Sequence, residues 1–145
     1  MPSYRLPALL LAALAALSPA RSGAQDAGIQ APPGERIANA VAVFSGLDKI
    51  TGRIISFDVY IDETVQFGAL QVTPRVCYSR PSTEAPLTDA FVEVDEITLN
   101  RKVRRIFSGW MFADSPGLHA VDHAVYDVWL TDCSNTSTVA PPPNR

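Results

Sequence analysis

The stretch AFVEVDEITLNRKVRRIFSGWMF, Ala90–Phe112, decides the fold. Its first part alternates Val92 and Val94 with Glu93 and Asp95, and after Asn100-Arg101 a second apolar run leads to Trp110, Met111 and Phe112. Two extended runs joined at a turn residue predict a β-hairpin, because a pleated strand sends successive side chains to opposite faces. Folded about that turn, the hairpin sets Val94 opposite Phe107 and Glu96 opposite Arg105, two favourable cross-strand pairs.

The same period of two recurs on the N-terminal side. Residues 39–47 (NAVAVFSGL) and 53–61 (RIISFDVYI) read as strands, joined through Thr51-Gly52, and the second ends at Asp62-Glu63. In residues 64–78 (TVQFGALQVTPRVCY), Gly68 shifts the apolar phase from Val65 and Phe67 to Leu70 and Val72. A glycine at a phase shift predicts a bulge or a break between strands, and Pro74, which has no amide proton, predicts a sheet edge or a further irregularity. Residues 80–89 form a Pro-rich loop, and residues 123–133 (HAVYDVWLTDC) form the last strand. The sum is an all-β fold, a single small barrel or sandwich of about six or seven mostly antiparallel strands. Several strands carry apolar residues on both faces, as Phe91, Ile97 and Leu99 do against Val92 and Val94. One interior cannot take both sets. Either local irregularities turn the surplus inward or it faces a partner.

The ends of the 145-residue chain have a different composition. Arg5 followed by the apolar run Pro7–Leu17 and small residues predicts a signal peptide over residues 1–24, cleaved after Ala24. A disordered linker is expected at 25–36 and a disordered Ser/Thr/Pro-rich tail at 134–145, leaving a β domain at 37–133. With Arg5 and Arg21 in the leader, ten basic residues face fifteen acidic ones in the mature chain. An acidic exported domain is a poor binder of nucleic acid. The absence of a second long apolar run argues against direct insertion of the mature chain into a membrane. The expected location is the periplasm.

Cys77 and Cys133, both inside the domain, are expected to form a disulfide in that oxidising compartment. The competing reading is a catalytic thiol served by His123. His119, Asp122 and His123 spell H-x-x-D-H, close to a zinc-binding spacing that works on a helix. Here Pro116-Gly117 precedes the motif and a strand pattern follows it, so a surface turn is the expectation and no metal is assigned. Glu93 and Asp95 share one side of a strand, as paired carboxylates of a glycosidase would, yet nothing distinguishes them from other acids. No nucleophile elbow or phosphate loop is present, so no catalytic residue and no cofactor is assigned.

Arg104, Arg105, Trp110, Met111 and Phe112 remain as the residues expected to touch a partner, the arginines as a charged rim and the others as an apolar centre. An aromatic platform for a glycan built from Trp110 and Trp129 is the alternative, and a metal-dependent hydrolase a remote one.

The blocks FSGLDKITGRIISFDV, ETVQFGALQVTPRVCYSRP, FVEVDEI and IFSGWMFADSPGLHAVDHAVYDVWLTDC, within Ala42–Cys133, together resemble an uncharacterised family of exported alphaproteobacterial proteins, domain of unknown function 2155. The pattern departs at Ala124, where proline is expected. The resemblance implies a single secreted β domain with two cysteines at the places of Cys77 and Cys133. It further implies a non-enzymatic periplasmic accessory subunit, a stabiliser of a membrane-associated assembly such as respiratory complex I.

Overall fold

The structure, a computed structural model, describes residues 34–143. The predicted leader and most of the predicted linker lie outside the described residues. Among the described residues nine strands follow in chain order: β1 (Ile37–Ala38), β2 (Val41–Asp48), β3 (Arg53–Tyr60), β4 (Val65–Phe67), β5 (Leu70–Ser79), β6 (Asp89–Ile97), β7 (Val103–Phe112), β8 (Val121–Asp122) and β9 (Tyr126–Ser134). All pairings are antiparallel. One sheet has the order β1-β5-β6-β7 with β4 on β5, the other β3-β2-β9-β8. The two sheets do not close on each other, so of the two expected architectures the sandwich is the one formed. Three strands of two or three residues raise the number above the expected six or seven.

Two glycines shape the hairpins. Gly68 opens the two-residue connection between Phe67 and Leu70 with φ +57°, which breaks the predicted long strand into β4 and β5. Gly52, at φ +71°, closes the β2–β3 loop and donates to the Asp48 carbonyl at 2.8 Å. The Asp48 carboxylate accepts from the amides of Ile50 and Thr51, and the latter contact contributes most to holding it below the usual carboxylate range.

Pro74 is fully buried and lies between the part of β5 that pairs with β4 and the part that pairs with β1. No strand needs its missing amide there, and its carbonyl accepts from Asp62 N at 2.8 Å. The ladder to β6 then skips Arg75, so the predicted irregularity is a bulge one residue beyond the proline. A second bulge sits in β7. Val94 pairs with Phe107 as predicted, but Asp95 pairs with Arg105 and Glu96 with Arg104, one residue from the predicted register. Ile106 is the extra residue.

Between the sheets lie Ala42 and Phe44 of β2, Val59 of β3, Leu70 and Val72 of β5, Ala90, Val92 and Val94 of β6, Met111 of β7, and Val128 and Leu130 of β9. Each larger side chain there contributes roughly 1.5–3 kcal/mol by leaving water. An aromatic file, Phe44, Phe57, Phe67 and Tyr126, runs through one end with successive ring centroids 5.8, 5.6 and 5.5 Å apart. The rings of Phe67 and Tyr126 lie against Gly46 and Gly68, where an added Cβ would meet them at 2.6 and 2.3 Å. Cys77 of β5 and Cys133 of β9 are joined, with Cα atoms 5.7 Å apart, so the disulfide bonds one sheet to the other.

The first residues of the expected tail make contacts with the sandwich. β9 runs to Ser134, the Asn135 side chain accepts from Ala40 N at 3.0 Å, and Ser137 Oγ donates to Asp58 at 2.6 Å. The Tyr60 hydroxyl donates to the Val139 carbonyl at 2.9 Å. These contacts lay residues 135–139 against the second sheet.

Candidate functional site

Strand alternation distributes the residues predicted to meet a partner over two faces. Trp110 lies opposite Phe91, and Phe112 opposite Asp89, on the outer face of the first sheet. Met111 points the other way and is fully buried in the core. Its assignment as a contact residue is therefore corrected: consecutive strand residues cannot share a face. Arg105 reaches the outer face only because the bulge at Ile106 shifts the phase, and it pairs there with Glu93 at 3.0 Å and Asp95 at 2.5 Å. Arg104 falls on the opposite side, where it meets Glu96 at 2.6 Å.

The outer face of the first sheet has two halves. One is aromatic: Tyr78, Phe91, Trp110 and Phe112, all half-buried. Trp110 stacks beside Tyr78, centroids 6.3 Å apart, and receives the edge of Phe91 at 5.6 Å. Arg36, from the predicted linker, lies over this group. Its guanidinium carbon is 4.2 Å from the Tyr78 centroid and 5.3 Å from that of Trp110, and the group pairs with the Asp89 carboxylate. The other half is ionic. Arg75, exposed at the β5 bulge, bridges Asp62 at 3.1 Å and Glu93 at 2.8 Å, and Arg105 continues the chain to Asp95. The hydrogen bond from Arg75 holds the Glu93 carboxyl below its usual value, with the charge of Arg105 adding to it. Glu93 thus sits between two arginines, an arrangement that favours its ionised carboxylate over one that carries a proton.

Beside the aromatic half, Leu87, Phe112 and Leu118 line a pocket of about 260 Å³ with Arg80, Asp89 and Asp114 at its polar rim. Leu87 and Leu118 are exposed. The two loops that form it are tied by Thr88 N to Asp114 at 3.1 Å and Ala113 N to the Thr88 carbonyl at 2.9 Å.

The three side chains of the H-x-x-D-H motif go to separate partners. His119 meets the Trp110 carbonyl through Nδ1 at 3.0 Å, and its ring lies 5.9 Å from that of Phe112. Asp122 pairs with Lys49 at 2.7 Å, which holds its carboxyl below the usual range. His123 accepts from Val125 N at Nδ1 and meets Glu96 through Nε2 at 3.0 Å, stacked on Tyr126. Among the described residues no three His, Cys, Asp or Glu side chains converge on one point. The catalytic-thiol alternative is corrected as well, since the sulfur of Cys133 is bonded to that of Cys77.

Trp129 stands apart from Trp110. Val128 and Leu130 on either side of it are buried, so Trp129 faces out from the second sheet. There it borders a cleft of about 540 Å³ with Pro116, Ala120, Val121, Asp122 and Asp127. The two tryptophans belong to opposite outer faces of the sandwich and cannot form the single platform predicted for a glycan.

Arg36, with its partners Tyr78 and Asp89, was missed by the reading of the sequence. It reaches the site through β1, whose pairing of Ala38 with Tyr78 brings the preceding residues alongside the ring. No local pattern announces such a contact, since Arg36 follows a Gly/Pro-rich segment that reads as linker.

No curated protein and no solved structure matches the chain. Residues 42–133 match the family described as "Uncharacterized protein conserved in bacteria (DUF2155)". The match takes in both sheets apart from β1, together with the disulfide and the aromatic half of the outer face but not Arg36, and on its extent the chain belongs to that family.

Proposed function

We propose that the domain is a non-enzymatic periplasmic accessory protein that docks onto a larger envelope assembly through the outer face of its first sheet. The observation that carries this reading is the row Tyr78, Phe91, Trp110 and Phe112, with the Leu87–Leu118 pocket beside it. The interior is already filled by the valines, leucines and Met111, so these rings are surplus to the core. Half-exposed aromatic side chains around a small apolar pocket are what a protein interface uses as its anchors. The ionic half supplies a polar rim whose charges are matched within the domain, which makes Arg105 an orienting group rather than a general attractant for acids, while Arg104, on the opposite side of the strand, takes no part in it. The resemblance to the exported family makes a membrane-associated assembly, of the respiratory complex I kind, the first partner to test.

Co-purification of the tagged full chain from its native envelope in mild detergent tests this. The native chain should recover a stoichiometric complex. Trp110→Ala, with its circular dichroism and melting transition retained, should recover the domain alone. A variant that stays folded and keeps the complex refutes the assigned face, and a native chain that comes through alone refutes docking altogether.

A glycan reading now rests on Trp129 only, where an aromatic ring borders a cleft holding two carboxylates. Sedimentation with peptidoglycan tests it, with loss on Trp129→Ala as the supporting outcome.

A further inference from the structure

The placement of Arg36 says what kind of group the aromatic face accepts. Its guanidinium lies over two rings and against one carboxylate, with Tyr78, Trp110 and Asp89 contributed by three neighbouring strands, β5, β7 and β6. Ring faces carry negative electrostatic potential and attract a cation within about 6 Å. A planar guanidinium is weakly hydrated, stacks on rings and presents a fork of donors to a carboxylate. The three side chains together satisfy each of those properties.

The segment that delivers Arg36 is lightly held. β1 has two residues, both exposed, and pairs only with Tyr78 and Ser79. Before it, the Arg80 side chain donates to the Gly34 carbonyl. A segment with so little buried apolar surface opens at low cost compared with the sandwich beneath it. Arg36 itself keeps 41 % of its side chain exposed, so it covers the site without sealing it.

We propose that Tyr78, Trp110 and Asp89 form an arginine-binding site, that Arg36 fills it as an internal surrogate, and that an arginine on the partner protein displaces residues 34–38 when it docks. The inference rests on the docking reading above and specifies the partner's chemistry: a basic segment with an arginine, beside an apolar side chain for the Leu87–Leu118 pocket. The acidic balance of the chain is complementary to such a segment. The tethered Arg36 raises the threshold for weak or incorrect ligands, since any competitor works against an intramolecular occupant at high effective concentration.

The test uses the full chain carrying Trp129→Phe, so that Trp110 is the one remaining tryptophan, and reads its fluorescence at constant ionic strength. The probe is N-acetyl-arginine amide, and its uncharged isostere N-acetyl-citrulline amide is the control. With Arg36→Ala added, the arginine probe should give a saturable change at a concentration about tenfold or more below that needed with Arg36 in place. Citrulline should give none, and Asp89→Asn in the same background should weaken the response. Arg36→Lys, which keeps the charge and protects against a folding artefact, should fall between the two. Equal titrations with and without Arg36, or equal responses to arginine and citrulline, overturn the proposal. If the titration fails while Trp110→Ala still releases the envelope complex, docking stands and the arginine site falls. If the titration succeeds while no complex co-purifies, the site stands and docking falls.

Discussion

Removing the Cys77–Cys133 bond tests how the two sheets are held together. The bridge joins β5 to β9 and spans a sequence separation of 56 residues, almost the whole interval from the middle of the first sheet to the end of the second. Releasing a closed loop of that length returns entropy to the unfolded chain worth about 4 kcal/mol at 25 °C. Against a total of about 5–15 kcal/mol for a domain of this size, that is a large share. Both cysteines are buried, and Cys77→Ala with Cys133→Ala removes only the sulfur atoms, so a small packing loss is added to the entropic one. Guanidinium unfolding of the double variant and the oxidised parent, followed by tryptophan fluorescence and circular dichroism, measures the difference. The midpoint should fall by roughly 1 M and the slope should rise, because the unlinked unfolded chain exposes more surface. Reduction of the parent should reproduce the shift. A loss below about 1 kcal/mol would refute the loop-entropy reasoning and would mean that the contacts between the two inner faces hold the sandwich unaided.

Gly68→Ala should cost about 2 kcal/mol or more, since it adds a strained positive φ to a Cβ placed 2.3 Å from the Tyr126 ring; Gly52→Ala, with a similar φ and open space around it, should cost about 1–2 kcal/mol, and comparing their denaturation midpoints isolates the clash. Met111→Ala should destabilise by about 2–5 kcal/mol through a core cavity while its neighbour Trp110→Ala costs only about 1–2 kcal/mol, a contrast that thermal melts will show if the two face opposite ways. The Glu93 and Glu96 carboxyls are held below their usual 4.5, chiefly by Arg75 and by Arg104 respectively, so their contribution is complete above that value and lost as the pH falls through the lowered folded one. The melting temperature should therefore decline from about pH 5 towards pH 3, less so in Glu93→Gln with Glu96→Gln or in high salt, and an unchanged slope in that double variant would contradict the assignment.

Much of the architecture was legible because its signals are local. Val92 and Val94 against Glu93 and Asp95 announce a strand with one wet face, and β6 buries the valines as that pattern requires. Gly68 marks its break through the phase of the residues around it. The two cysteines expected to pair are joined, and the hairpin register holds at Val94 and Phe107. What was not legible depends on groups distant in sequence. Sandwich and barrel share the same alternation, and only the partners of the edge strands distinguish them. Met111 reads as well as Trp110 for a contact residue until the face of β7 is known. Leu99, taken as surplus on a strand, lies fully exposed in the β6–β7 loop, because the strand ends at Ile97.

The two bulges of the first sheet show why the site was harder to read than the fold. Arg75 and Ile106 are each one residue more than the ladder needs, and neither is a glycine or a proline. Without the extra residue in β7, the odd-numbered Arg105 would follow the inner face with Phe107 and Met111, away from Trp110 and Phe112. The bulge in β5 likewise leaves Arg75 exposed at the outer edge of Glu93. Two inserted residues thus assemble the chain from Asp62 to Asp95 next to the aromatic row, and this chain neutralises Glu93 and Asp95 where they would otherwise border the rings as free acids. Asp89, at the aromatic end of the face, is answered by a charge from outside both ladders of that network, the guanidinium of Arg36. That division leaves Arg36 as the cation that meets rings and a carboxylate together, and it makes the register of two ordinary-looking strands, rather than any motif, the feature that shapes this surface.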